Sequence, residues 1–207
     1  MSTSAPRSPA MIRQFALADW FTLSNAACGS GAIFAMMTYL QVGEVLHIYY
    51  AGALVLMALV FDFLDGRIAR SRSRASIMGR ELDSLSDVIS FGVAPAMIAY
   101  ACGMQGLYDR LVLIYFVVCG VSRLARYNVT AEELSGEDDK VKYFEGTPIP
   151  TSIFLVLVLV VSAAAGAIGN DLPLGKLDIG PFELHPIVFL FAVSGTLMIS
   201  RVRIPKP

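Results

Sequence analysis

Four aspartates within 26 residues are the groups in this sequence best suited to chemistry. Asp62 and Asp65 are three residues apart, and Asp83 and Asp87 are four apart. Because residues at these spacings share one face of an α-helix, each pair is predicted to point in a single direction. The arginine-rich connection between the pairs is short, so the two helix ends that carry them are predicted to lie side by side.

Four carboxylates in one small space repel one another, and some would take up protons if nothing neutralised them. Bound divalent cations remove that conflict. The donors are all oxygens, with no Cys or His close by in the sequence, which favours Mg²⁺, Mn²⁺ or Ca²⁺. Four carboxylates hold two ions if some of them bridge, and a two-ion site stabilises the attacking and leaving oxygens of a displacement at phosphorus. A solvated acidic loop explains one such aspartate, but not four with glycines at fixed offsets.

Small residues and an arginine accompany the aspartates. Gly66, Ala69 and Gly79 lack bulk, which would let a nucleotide approach the backbone closely. Arg70 has a planar fork of donors that suits a phosphate group. The segment therefore predicts a nucleotide bound beside the metal ions.

The elements that position these residues are predicted to be membrane-spanning helices. Hydrophobic residues make up 56% of the 207-residue chain and charged residues 16%, against roughly 25% charged in soluble domains. A spanning helix needs about 20 apolar residues. Two of the uncharged stretches are short and are expected to extend into the polar residues that follow, one through Asp62 and Asp65 and the other through Arg123 and Arg126. The six stretches are 20–43, 46–61, 88–108, 111–122, 146–170 and 184–200.

The expected fold is an all-α membrane protein with a single domain over residues 1–207. Six transmembrane helices would occupy 20–203, and an amphipathic helix in 1–19 would lie at the membrane interface. All but Arg110 and Lys176 of the 16 Lys and Arg residues fall on the side of the termini and the two charged loops. The positive-inside rule places that side, with the aspartates, in the cytoplasm. In a bacterium the membrane would be the cell or inner membrane.

The two histidines, His47 and His185, are predicted to lie near the external ends of spans, at the membrane interface and far from the aspartates. They are therefore not expected to take part in the chemistry. The three cysteines lie in apolar stretches and are interpreted as packing residues.

The complete pattern D-x2-D-G-x2-A-R-x8-G-x3-D-x3-D resembles the signature of the CDP-alcohol phosphatidyltransferase family. Eight fixed positions within 26 residues match it, and the six-helix interpretation agrees with that family's fold. The matching residues are Asp62, Asp65, Gly66, Ala69, Arg70, Gly79, Asp83 and Asp87.

The resemblance implies a role for each aspartate. Asp62 and Asp83 would bridge two divalent cations, Mg²⁺ or Mn²⁺, with Asp65 completing the coordination of one ion and Asp87 that of the other. Asp87 would also be the catalytic base that takes the proton from the acceptor hydroxyl. The family further suggests a homodimer.

The resemblance also implies a binding site for the CDP group. Gly66, Arg70 and Gly79 would line it, together with Ser76. In the first helix, Thr22 and Asn25 stand where the family often places nucleotide contacts. Many members have Pro-Asn shortly before that threonine, where this chain has Ala18 and Asp19.

Two further segments suggest the acceptor. SRLARYN (122–128) and YFEGTPIP (143–150) are similar to stretches of the integral-membrane phosphatidylserine synthases within the family. Arg123 and Arg126 would hold the carboxylate of serine or a phosphate of the donor, and Gly146 and Pro148 would shape the acceptor site. The resemblance thus implies transfer of the phosphatidyl group from CDP-diacylglycerol to L-serine, with release of CMP.

Other functions remain open at this point. The same chemistry with glycerol phosphate or inositol phosphate is one, because the two arginines also suit a phosphorylated acceptor. A divalent-cation transporter also needs clustered acids, although carriers place them near mid-membrane rather than at one edge. A non-catalytic lipid scaffold leaves the four carboxylates unexplained. Release of CMP from CDP-diacylglycerol separates the enzymes from both of the other classes.

Overall fold

The computed structural model describes residues 17–71, 77–134, 143–179, 181–200 and 203–205, and helices dominate it. A π-helical segment, Val88–Val93, joins α3 directly to α4, so the two form one continuous helical unit. The helices are α1 (Leu17–Val42), α2 (Leu46–Ser71), α3 (Ile77–Asp87), α4 (Ala94–Ala101), α5 (Leu107–Leu134), α6 (Ile153–Ala164) and α7 (Phe189–Ile199).

Two helical runs in the described part of the chain are long and apolar enough to cross a membrane, Leu46–Ile68 and Met78–Ala101. Two shorter apolar helical stretches are also present, Ile149–Ala164 and Pro186–Ile199. Large apolar side chains cover the outside of the helices; Phe154, for example, is 67% exposed. A mostly helical chain with an apolar exterior is what a protein surrounded by lipid requires, so the structure is consistent with a membrane protein.

The helix boundaries confirm both expected extensions and alter two other stretches. α2 continues through Asp62 and Asp65, and α5 continues through Arg123 and Arg126. The predicted stretch 88–108 is divided, because α4 ends at Ala101 and the residues from Leu107 onward belong to α5. The predicted stretch 146–170 holds a shorter helix, since a 3-10 turn occupies Ile149–Ser152 and α6 ends at Ala164.

The buried face of α1 is polar at one end and apolar at the other. Its buried residues recur every three or four positions, as expected for one face of a helix. The apolar end packs against α2, where Ala51 and Val55 are fully buried. The polar end must find polar partners, which places the functional site beside the N-terminal half of α1. These buried residues are Asp19, Thr22, Asn25, Gly29, Ala32 and Met36.

Four short strands accompany the helices within the described residues, whereas the sequence predicted an all-α chain. They are β1 (Tyr143–Glu145), β2 (Leu177–Ile179), β3 (Phe182–Leu184) and β4 (Arg203–Pro205). β2 and β3 form an antiparallel hairpin in the turn-rich loop before α7. β1 pairs antiparallel with β4, which joins the chain before α6 to the chain after α7.

His185 is buried against the start of α5, a contact that the sequence did not predict. His185 is only 2% exposed, and its Nδ1 lies 2.7 Å from Asp109 Oδ2. Its backbone N–H donates to Asp109 Oδ1, and the backbone N–H of Gly106 donates to the same carboxylate. Because a buried carboxylate requires such partners, this cluster holds the end of the β2–β3 hairpin against the start of α5.

Candidate active site

Three of the four predicted metal-binding aspartates form one tight cluster. Asp62 on α2 and Asp83 and Asp87 on α3 each contribute an oxygen, and these three oxygens lie within 4.8 Å of one another. The spacing of four residues places Asp83 and Asp87 on one face of α3, toward α2. Asp87 is buried, with 6% of its surface exposed, whereas Asp62 and Asp83 are half-buried.

Asp65 stands beside this cluster and is not one of its three members. It is 4% exposed, and its Oδ2 accepts a hydrogen bond of 2.7 Å from Thr22 Oγ1 on α1. Its charge is nevertheless close enough to interact with those of Asp83 and Asp87. The structure thus places all four carboxylates in one electrostatic environment, with Asp65 bonded to α1.

Asn25 connects α1 to the base of the cluster. Its Nδ2 donates to Asp87 Oδ1 at 3.2 Å, and its backbone carbonyl accepts a hydrogen bond of 2.9 Å from Ser90 Oγ. Ser90 belongs to the π-helical segment, whose wider turn is typical of functional sites. Thr22 and Asn25, predicted as nucleotide contacts, thus donate side-chain hydrogen bonds to Asp65 and Asp87, two of the four predicted metal ligands.

The cluster fits a divalent cation on two observations. Asp83 Oδ1 is buried and has no hydrogen-bond partner within the described residues, and such an oxygen is unfavourable unless something binds it. In the same part of the chain, no Lys or Arg lies within 4.0 Å of the Asp62, Asp83 or Asp87 carboxylates. Closely spaced carboxylates without a basic partner are the oxygen donors that Mg²⁺ and Mn²⁺ bind.

A groove of about 410 Å³ opens on α2 next to the cluster. It is a shallow feature of the α2 surface with an almost entirely apolar lining, which suits an apolar chain. Its lining residues are Leu59, Val60, Asp62, Phe63 and Leu64.

The remaining predicted nucleotide residues follow Asp65 along the chain. A Cβ built on Gly66 would meet no heavy atom within 4 Å, so open space adjoins that backbone. Gly79 lies on α3, one turn before Asp83. Ala69 and Arg70 belong to α2, but their side chains are outside the described part of the structure, and Ser76 lies outside the described residues.

Both predicted acceptor arginines have buried donors without a partner. Arg123 Nε and Arg126 Nη2 form no hydrogen bond within the described residues, while Arg126 Nη1 lies 3.5 Å from the Ile199 carbonyl oxygen at the end of α7. Arg123 is also close enough to Asp87 for their charges to interact. Unused guanidinium donors near the carboxylate cluster can bind an anion there.

The segment containing Gly146 and Pro148 is attached to the same end of α7. Gly146 has φ of 75°, and a Cβ there would clash with the carbonyl oxygen of Met198, so the position requires glycine. The Thr147 N–H donates to the Leu197 carbonyl at 3.2 Å, and the Pro148 carbonyl accepts from the Thr151 hydroxyl. The C-terminal end of α7 therefore holds both the loop and Arg126.

Two residues of the site were not identified from the sequence. Ser90 fixes the π-helical segment to α1, and its polar side chain in an otherwise apolar stretch was the available signal. Asp19 is a buried carboxylate one turn before Thr22 that interacts electrostatically with Asp65. In the sequence Asp19 stands out only as a departure from the family pattern, because nothing there shows which helix packs against it.

Comparisons with known proteins agree with the pattern of the site. The model of the CDP-alcohol phosphatidyltransferase family matches residues 15–198. A curated relative from Saccharomyces cerevisiae, named CDP-diacylglycerol–serine O-phosphatidyltransferase, is 42% identical over 99% of this chain and 76% of its own length. A Bacillus subtilis relative of the same name is 30% identical over 89% of this chain and 86% of its own length. An archaetidylserine synthase from Methanothermobacter thermautotrophicus is 41% identical over 74% of this chain and 57% of its own length.

Proposed function

Because this chain belongs to the CDP-alcohol phosphatidyltransferase family, we propose that it transfers the phosphatidyl group of CDP-diacylglycerol to the hydroxyl of L-serine and releases CMP. The observation that carries the proposal is the tight cluster of Asp62, Asp83 and Asp87. The names of the relatives support serine as the acceptor. The unpartnered donors of Arg123 and Arg126 supply the charge that a serine carboxylate needs.

In this proposal the aspartates hold two divalent cations, Mg²⁺ or Mn²⁺. Asp62 and Asp83 would bridge the ions, and Asp65 and Asp87 would each complete the coordination of one. The second oxygen of Asp65 is not used by Thr22, so that hydrogen bond and metal binding are compatible. When bound, the ions offset the charge of the donor pyrophosphate and of the departing CMP.

Asp87 is proposed to act as the general base. It accepts the proton of the serine hydroxyl, and the serine oxygen forms a bond to the phosphorus that carries diacylglycerol as the bond from that phosphorus to CMP breaks. Asn25 donates to Asp87 Oδ1 and so orients the carboxylate. Because Asp87 is buried, few waters can reach it to compete with serine for the phosphatidyl group.

The donor and the acceptor are proposed to bind on different sides of the cluster. The apolar groove beside Asp62 would take part of an acyl chain of the donor. The CDP group would lie near the open backbone at Gly66. The other residues proposed to contact it are Thr22, Asn25, Ala69, Arg70, Ser76 and Gly79. Arg123 and Arg126 would bind the serine carboxylate, with Gly146 and Pro148 shaping that side.

We further propose the membrane arrangement that the sequence predicted. A single domain over residues 1–207 would cross the membrane six times, with both termini and the active site in the cytoplasm and residues 1–19 at the interface. Residues 1–16 of that interfacial segment lie outside the described residues. The enzyme would be a homodimer, as the family suggests, which a mass measurement in detergent would test.

An acceptor panel tests the proposed reaction. Purified protein with CDP-diacylglycerol and Mn²⁺ or Mg²⁺ is expected to release CMP fastest with L-serine, compared with glycerol phosphate, inositol phosphate and choline. Arg123→Gln and Arg126→Gln should raise the KM for serine about 10-fold or more, because each removes a charge-assisted hydrogen bond worth about 1.5–3 kcal/mol.

Arg110→Gln serves as the matched control, since this exposed arginine lies at the other end of α5. Faster turnover with a phosphorylated acceptor than with serine would assign the two arginines to that acceptor instead. An absence of CMP release with every acceptor would rule out the transferase.

A Gly66→Ala variant tests the proposed nucleotide position. The added methyl group meets open space, so the fold should be unaffected and the melting temperature should stay close to that of the wild type. The methyl group would, however, occupy space assigned to the nucleotide, so the KM for CDP-diacylglycerol should rise about 10-fold or more.

Gly43→Ala provides the contrast. Its φ of 74° makes a side chain unfavourable, and the residue lies far along the chain from the aspartates. That variant should lose stability and keep its KM for the donor. An unchanged donor KM in Gly66→Ala would remove Gly66 from the nucleotide site.

A further inference from the structure

Asn128 bonds α5 to the helix that carries two of the site aspartates. Its Oδ1 accepts a hydrogen bond of 3.2 Å from Ser84 Oγ. Its Nδ2 lies 3.4 Å from one carboxylate oxygen of Glu81 and 3.3 Å from the other. Glu81 and Ser84 are one turn apart on α3, on either side of Asp83 in the sequence. A single side chain thus connects α5 to α3 at the position of Asp83.

The amide of Asn128 matches the hydrogen-bonding needs of both partners. Glu81 only accepts hydrogen bonds when ionised, and Ser84 donates its hydroxyl hydrogen here, so the residue between them must both donate and accept. An aspartate at position 128 would place a second carboxylate against Glu81. An alanine would leave both partners without the bond. The contact is therefore more specific than apolar packing between two helices.

The location of Asn128 gives the contact a functional meaning. It lies five residues after Arg123 and two after Arg126, on the same helix. α3 is also tied to α1, through the hydrogen bond between Asn25 and Asp87. Asn128 makes the corresponding hydrogen bonds from α5. It thereby joins α5, which carries Arg123 and Arg126, to α3, which carries Asp87.

We propose that Asn128 is a positioning residue that sets the placement of Arg123 and Arg126 relative to Asp87, so that a bound serine presents its hydroxyl to the base. This inference rests on the proposed function. A displacement of about 1 Å between reacting groups can reduce a rate about 10²-fold. Loss of the hydrogen bonds from Asn128 to α3 should therefore slow the transfer to serine, which needs both helices. The binding of CMP and metal to α2 and α3 should be unaffected.

A charge-exchange experiment tests the proposal. Asn128→Asp is expected to lower kcat/KM for serine about 10- to 100-fold, because an aspartate cannot donate to Glu81 and places a second carboxylate against it, which shifts α5 relative to α3. Glu81→Gln alone should stay within about 3-fold of the wild type, since glutamine still accepts from Asn128. Glu81→Gln also removes the ion pair between Glu81 and Arg80. That loss matters little, because the two groups are 3.9 Å apart and partly exposed. The double variant Asn128→Asp with Glu81→Gln should recover most of the activity, because the glutamine amide can donate to the new carboxylate.

A second measurement distinguishes positioning from loss of the fold. The Mn²⁺ concentration that gives half of the CMP-dependent rise in melting temperature should be the same in Asn128→Asp, Asn128→Ala and the wild type. Val129→Ala is the matched control, because this neighbouring side chain is 57% exposed. It should leave both readings unchanged.

The inference is overturned if the double variant is no more active than Asn128→Asp, or if both variants of Asn128 retain the serine kinetics of the wild type. It is also overturned if activity and CMP-dependent stabilisation fall together, which would indicate a purely structural contact. A wild-type protein inactive with every acceptor would instead refute the proposed function, so the two failures are distinguishable.

Discussion

Asp87→Asn is expected to reduce CMP release about 10²- to 10⁴-fold, the usual contribution of a general base. The substitution keeps the size of the side chain, and the asparagine oxygen can still accept the hydrogen bond from Asn25. The amide cannot accept the serine proton, so the chemical step should fail while the helices stay in place. Steady-state CMP release with serine and CDP-diacylglycerol provides the measurement.

Two further observations make the Asp87 result specific. Asp178→Asn removes a carboxylate from the exposed β2–β3 hairpin and should leave turnover unchanged. Mn²⁺ should still raise the melting temperature of Asp87→Asn, although at higher concentration, because Asp62 and Asp83 remain. Appreciable turnover in Asp87→Asn would remove the general-base role from this residue.

Gly29→Ala is expected to destabilise the protein by about 1–3 kcal/mol, the range for overpacking a close contact. A Cβ on Gly29 would lie 2.7 Å from Ser90 Cα and closer still to its hydroxyl oxygen. Since the nearby atoms include backbone, α1 and the π-helical segment must separate. The hydrogen bond from Ser90 to Asn25 would then weaken and disturb the orientation of Asp87. Both the melting temperature and kcat should fall.

Gly31→Ala offers a close comparison two residues further along α1. Its new methyl group would meet a Leu54 methyl at 3.3 Å, which can move by rotation of a flexible side chain. The Gly31 variant should therefore stay near the wild type in melting temperature and activity. If Gly29→Ala behaves in the same way, the close approach of α1 to the π-helical segment does not support the site.

Local spacing made the acidic part of the site predictable. Residues three or four apart share a helix face, so the placement of Asp83 beside Asp87 followed from helix geometry, whereas the bond of Asp65 to α1 did not. The extension of α2 beyond its apolar stretch followed from the length that a spanning helix needs. These inferences concern neighbours in sequence, for which the backbone fixes relative position.

Contacts between distant segments could not be predicted in this way. The bond from Thr22 to Asp65 joins residues 43 apart, and the bond from Asn25 to Asp87 joins residues 62 apart. The π-helical segment and the burial of His185 likewise depend on which helix packs alongside. Helical periodicity carries no information about that choice, so these features required the three-dimensional arrangement.

The C-terminal end of α7 contacts the residues proposed to bind the acceptor, and the aspartates lie on other helices. Its last carbonyl groups contact Arg126 and the loop at Gly146 and Thr147. The four aspartates belong to α2 and α3, and two of them accept hydrogen bonds from α1. Choice of the alcohol and cleavage of the activated lipid would thus depend on opposite halves of the polypeptide. Substitutions in the C-terminal half can then change which alcohol is bound, provided that they keep the contact of Asn128 with α3.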